Sequence, residues 1–224
     1  MNELEFLRRQ IATERGHMAA VRSACAASLA QPDVPPDPGF LESCADYLVY
    51  VVSRFNDQDE AHASLLRPRL DATDAAGRAV IDDLLATLAA NREAIGRLCQ
   101  ALEARRAGDP DDGRFIDALR NYLTFYASVL ATRRHALQPL FDRHYGIAEW
   151  RLASRVDADS IIEERERYAR VADRLPEGVV LAASELSATA LRAAAHGNGH
   201  TASATGQAGA ANAWTPSRNP RSTP

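Results

Sequence analysis

Aromatic residues are scarce in this 224-residue chain, at 6% of the sequence, although 46% of its residues are hydrophobic. Much of the apolar content is alanine and leucine, which together with arginine and glutamate are strong helix formers. The chain also lacks any apolar run near the roughly 20 residues that a membrane-spanning helix needs. Its N-terminus, MNELEFLRRQIATER, has no apolar segment of the kind found in secretory signals. We therefore expect an all-α cytoplasmic protein with no membrane partner.

An excess of positive charge is lacking as well, since the net charge is −4. That balance argues against a broad basic surface for nucleic acid. The three cysteines, Cys25, Cys44 and Cys99, form no C-x-x-C pair, so we expect small buried residues in a reducing compartment and no disulfide. There is no Gly-rich phosphate loop, nucleophile elbow or His-Glu-x-x-His motif. These absences favour a protein that is not an enzyme.

Apolar residues recur at intervals of three and four in four long segments, which is the spacing of one face of a helix. The predicted helices span residues 2–29, 40–66, 74–107 and 115–143. The breaks between them include the proline-rich stretch QPDVPPDPG and the turn GDPDDG, neither of which can remain helical. Because the connections are short, the sequence predicts an antiparallel up-down-up-down four-helix bundle over residues 1–143.

A helical extension is predicted for residues 144–195, with segments at IAEWRLASRV, at 158–175 and, more weakly, at 179–195. The run from Glu163 to Arg170 is interpreted as a solvated helix face with ion pairs between residues four apart. This Glu/Arg-rich region could also form a homodimer through its helical surface. Residues 196–224 are rich in Gly, Ala, Ser and Thr and have almost no apolar bulk, so we predict a disordered tail.

The two halves of the predicted bundle are similar at an offset of about 75 residues. Aligned identical pairs are Cys25 with Cys99, Phe40 with Phe115, Tyr47 with Tyr122, Leu48 with Leu123 and Ser53 with Ser128. The same alignment places His17 on Asn91. We interpret this as an internal repeat of one helix hairpin.

A helix with a histidine, followed by a helix containing YLVYVVSRFNDQDE (residues 47–60), then a second copy, resembles the hemerythrin-like (HHE) domain over roughly residues 3–143. In that family each half supplies one histidine from its first helix and a His-x-x-x-Glu pair from its second. Residues four apart share one face of a helix, so both members of the pair can reach the same ion. The resemblance implies a di-iron centre inside the bundle.

Most of the family's ligand positions are substituted in this chain. His17 matches the first-helix histidine, but its counterpart in the third helix is Asn91. In the second helix the histidine falls on Asn56 or Phe55 and the carboxylate on Glu60 or Asp59. In the fourth helix the pair falls on Ala131 and His135, or on Leu130 and Arg134. A complete di-iron site is therefore not expected.

Helical phase at about 100° per residue predicts which polar side chains point inward. Asp59 and His62 lie near the apolar stripe, whereas Glu60 lies to one side. The predicted interior set is His17, Asp59, His62, Asn91 and Arg134, with Arg133 near it, while His135 turns toward a polar face.

Three interpretations remain open for this interior set. In the first, His17, Asp59 and His62, with Glu60 near them, bind one metal ion, because two histidines and a carboxylate suit iron(II). In the second there is no metal, and Arg134 pairs with Asp59 inside a buried hydrogen-bond network. In the third the residues are simply exposed.

The sequence favours a hemerythrin-like protein that has no cofactor and that acts by binding, sensing or scaffolding. The alternative is a non-haem iron protein that handles a small diatomic ligand, O2 or NO, or peroxide.

Overall fold

The structure, a computed structural model, describes residues 2–31, 34–108, 112–130 and 137–181. Within those ranges every regular element is helical and no strand is found, so the all-α prediction is confirmed. The α-helices are α1 (Glu3–Leu29), α2 (Pro38–Leu66), α3 (Ala75–Arg106), α4 (Asp112–Phe125), α5 (Gln138–His144), α6 (Ile147–Ser154) and α7 (Ala158–Ala172). None of the described helices is long and apolar enough to cross a membrane.

The first three helices begin at side chains that cap their free backbone amides. Asn2 accepts from the backbone N–H of Glu5 at 2.9 Å while the Glu5 carboxylate accepts from the Asn2 N–H at 3.1 Å. Asp37 caps α2, whose first residue is a proline, and Asp74 caps α3. Such caps stabilise a helix by about 1 kcal/mol each and fix where it starts. The predicted boundaries of these helices therefore agree with the observed ones to within two residues.

Helix α2 is central, because it packs against α1, α3, α6 and α7. Helix α4 contacts both α1 and α3. Helices α1, α2, α3 and α4 therefore share a continuous apolar core. A smaller apolar cluster forms where the end of α2 meets α3 and α5, and it includes Leu66, Ile81 and Leu140. The aligned pairs Phe40 and Phe115, and Tyr47 and Tyr122, are all buried, whereas Cys25 is buried and Cys99 only half-buried.

The predicted fourth helix differs from the observed one. Helix α4 ends at Phe125 and is followed by a π-helical turn, Tyr126–Leu130. The next helix, α5, begins at Gln138. A π turn adds a residue to the helical repeat, which an apolar pattern of threes and fours does not reveal. Residues 131–136 lie outside the described ranges. The predictions for Arg133, Arg134 and His135 therefore concern residues that the structure does not describe.

The C-terminal helices are part of the same core. Trp150 of α6 and Val171 of α7 belong to the main apolar cluster, against α1 and α2. The solvated face predicted for residues 163–170 is only partly correct. Glu163 and Arg167 form the expected ion pair at 2.6 Å, but Glu164 is completely buried.

The weaker helix predicted at 179–195 does not begin where expected. Pro176 and a turn ending at Gly178, whose φ is +80°, leave residues 179–181 non-helical. The remainder of that segment, and the tail at 196–224, lie outside the described residues.

Candidate functional site

Two asparagines meet in the protein interior where α2 faces α3. The side-chain amide of Asn91 donates to Oδ1 of Asn56 at 2.7 Å, and both residues are buried. The helical phase predicts Asn91 inward, and that is confirmed. The remaining amide atoms, Nδ2 of Asn56 and Oδ1 of Asn91, have no hydrogen-bond partner in the described part of the chain. Buried polar atoms of this kind are normally satisfied by water or by a ligand.

His62 is buried in an aromatic cluster at the end of α2. The rings of Phe141, Tyr145 and Trp150 lie 4.8, 5.4 and 5.3 Å from the imidazole. The Tyr145 hydroxyl donates to the His62 carbonyl at 3.1 Å and lies 3.2 Å from Nδ1. Because burial disfavours the charged imidazolium, it lowers the pKa of His62 to about 4. His62 is therefore a neutral core residue at physiological pH.

The two carboxylates next to His62 pair with arginines. Asp59 lies 3.3 Å from the guanidinium of Arg15 on α1, and Glu60 lies 2.7 Å from Arg92 on α3. The Asp59 side chain is 14% exposed and that of Glu60 34% exposed, which agrees with the predicted phase of the helix. Sequence reasoning did not identify Arg15 as a partner, because periodicity within one helix says nothing about which residue of another helix lies opposite.

His17 lies in a second polar cluster, where α7 covers α1 and α2. Its Nδ1 is 2.9 Å from Oε1 of Glu164, and the Tyr47 hydroxyl donates to the same oxygen at 2.7 Å. The His17 ring stacks on Tyr168 with the ring centres 4.0 Å apart. Burial of the Tyr47 hydroxyl raises its pKa, and the neighbouring carboxylate of Glu164 adds to that effect. His17 therefore binds a carboxylate from the C-terminal extension.

Glu14 is a second buried carboxylate in this cluster. Gln10 donates to its Oε1 at 2.9 Å, and Arg54 donates to its Oε2 at 3.1 Å. Burial raises the pKa of Glu14, and the nearby charge of Glu164 adds to that effect, while Gln10 and Arg54 oppose it. The carboxylates of Glu14 and Glu164 are thus both buried, while the side chain of Arg54 beside them is 21% exposed.

Sequence analysis missed both glutamates, although the pattern contains a signal for them. Glu14 continues the stripe of α1, since residues 7, 11, 14, 18, 21 and 25 follow a strict three–four alternation. Glu164 does the same in α7 at residues 161, 164, 168, 171 and 175. A charged residue in register with an apolar stripe is buried with a partner more often than its type suggests.

The described residues do not fit the iron that the hemerythrin resemblance implies. No three His, Cys, Asp or Glu side chains within the described ranges are close enough to hold a metal ion. The candidate ligands are already engaged by other side chains: His17 by Glu164, Asp59 by Arg15, and Glu60 by Arg92. Asn56 and Asn91, which align with histidine positions of the family, carry amides, and amides bind iron less well than imidazoles.

No protein-family model, no curated protein and no solved structure matches this chain.

Proposed function

We propose that the chain is a hemerythrin-like antiparallel bundle in which side-chain hydrogen bonds replace the metal ligands. We infer that it acts by binding, sensing or scaffolding and not by catalysis. The up-down-up-down arrangement is supported by short connections between α1, α2, α3 and α4. It is also supported by the pairs of helices that pack together, which are the neighbours expected around such a bundle.

The observation that carries the proposal is the contact between Asn56 and Asn91. The family alignment assigns a histidine ligand to Asn91 in the second half of the repeat. In the first half it assigns one to Asn56 in one register and to Phe55 in the other. In a hemerythrin-like bundle such positions face each other in the interior. Here they are buried and joined by a 2.7 Å hydrogen bond, which supports the register of the alignment.

The register can be tested by restoring histidine at both positions. We expect the double variant Asn56→His, Asn91→His to bind Zn²⁺ or Co²⁺ at least about tenfold more tightly than the wild type, because two imidazoles would face each other across α2 and α3. A matched control, Ser53→His with Glu93→His, adds two histidines at exposed positions of the same helices. Equal affinity in the two double variants would contradict the register.

Elemental analysis of the wild-type protein tests the absence of metal. After expression with added iron, we expect under about 0.1 metal ions per chain, because the described donors are engaged elsewhere. About one tightly held iron per chain, lost in Asp59→Ala or His62→Ala, would instead establish the alternative of a mononuclear iron protein that handles a diatomic ligand or peroxide.

A further inference from the structure

Helix α7 is attached to the protein by polar contacts as well as by the apolar packing of Tyr168 and Val171. Of its 15 residues only Glu164 and Val171 are buried. Arg167 and Arg170 pair with Asp46 of α2, and the Tyr50 hydroxyl lies 3.4 Å from the Ser160 carbonyl. Partly exposed ion pairs contribute little to stability, because water and salt screen them. The buried carboxylate of Glu164 is therefore a principal anchor of the helix.

The groove beneath α7 provides donors for one carboxylate. A carboxylate oxygen only accepts hydrogen bonds, so the N–H of His17 and the O–H of Tyr47 both donate to Oε1 of Glu164. Its Oε2 is buried and has no partner among the described residues, so the groove satisfies this ligand only in part. A buried carboxylate oxygen without a hydrogen-bond partner loses its hydration without full compensation. Glu164 thus anchors α7 through Oε1 alone.

The charge of Glu164 disfavours ionisation of the neighbouring Glu14, and Gln10 and Arg54 oppose that effect. Glu14 keeps its own partners, Gln10 and Arg54, and the guanidinium of Arg54 offsets its charge. The His17 side chain is 26% exposed even with α7 in place, so the groove opens toward solvent at one edge. Lifting α7 would uncover His17 and Tyr47 together, because both rings contact Tyr168 of that helix.

We propose that His17 and Tyr47 form a carboxylate-binding site on α1 and α2, which α7 occupies with Glu164 as a tethered ligand. A small monocarboxylate from solution fits the same donors when Glu164 is absent or withdrawn. Helix α7 is then a strap that covers this site. The proposal does not depend on the hemerythrin resemblance or on a metal ion, because neither Asn56 nor Asn91 belongs to this groove.

The site can be tested by chemical rescue of Glu164→Ala in the full chain at constant pH. We expect amide hydrogen exchange in α7 to rise at least about tenfold in this variant, with α2 and α3 still protected. Formate should restore protection saturably, while chloride at equal ionic strength should not. The matched control is Glu166→Ala, which removes an exposed carboxylate from the same helix and should leave exchange unchanged.

A second variant separates binding from packing. His17→Phe keeps a ring that can stack on Tyr168 but removes the donor, so combining it with Glu164→Ala should abolish the formate effect. Glu164→Gln keeps the shape of the anchor without its charge and should give intermediate exchange in α7. The proposal is overturned if formate acts no differently from chloride, or if Glu164→Gln protects α7 as well as the wild type does.

Discussion

Acidification should destabilise this protein because His62 is buried in its neutral form and resists protonation in the folded state. The imidazole is 2% exposed and surrounded by Phe141, Tyr145 and Trp150, and burial lowers its pKa from 6.5 to about 4. In the unfolded chain the same group has its ordinary pKa near 6.5. The unfolded state therefore binds a proton before the folded state does. The stabilisation is complete above about pH 6.5 and is lost as the pH falls through the folded-state value.

The magnitude follows from the difference between the two pKa values. A fall from 6.5 to about 4 corresponds to about 3 kcal/mol, at about 1.4 kcal/mol for each pH unit. Most of this loss should occur between pH 6.5 and pH 4. For a domain with a total stability of about 5–15 kcal/mol it is a large fraction.

Urea unfolding at pH 7 and pH 4 measures this effect directly, in a Trp214→Phe background that leaves Trp150 as the single emitting tryptophan. We expect the wild type to lose about 3 kcal/mol more than His62→Phe between these pH values, because phenylalanine fills the cluster but does not titrate. Phe141→Leu is the control, since it changes packing in the same cluster without removing a titrating group. Equal pH dependence in the wild type and His62→Phe would refute the assignment of a neutral, buried His62.

Three further measurements test other parts of the structure. Burial raises the pKa of Glu14, so the contribution of its protonated form to the free energy of unfolding is full below about pH 4.5 and is lost as the pH rises through the folded-state value. Urea unfolding should therefore show a smaller loss of stability from pH 5 to pH 8 in Glu14→Gln than in the wild type. Leu152 is 68% exposed beside an open hollow of about 390 Å³ between α2 and α6. A homodimer that uses this apolar face should become a monomer in sedimentation when Leu152 is replaced by glutamate. An unchanged dimer would exclude the face. Native protein should react with Ellman's reagent at one thiol per chain, that of Cys99, because the other two are buried; three rapidly reacting thiols would contradict the packing of α1 against α2.

Local rules account for the agreement between the predicted and observed helices. Alanine- and leucine-rich segments form helices on their own preference, and Asn2, Asp37 and Asp74 cap them within a few residues of sequence. Periodicity also places His62 and Asn91 in the interior, since each continues an apolar stripe. The break near residue 126 was not predicted, because a π turn changes the helical repeat without a distinctive residue type.

The sequence by itself determined where the first three helices begin and end and most of the faces they bury, because capping, propensity and periodicity act within one segment. Only the tertiary structure decided the partners: Arg15 for Asp59, Asn56 for Asn91, and Glu164 for His17. The last pair joins residues 147 positions apart. Such contacts depend on how helices rotate and stack against one another. That choice is made by the packing of the whole core and is not encoded in the pattern of any one helix.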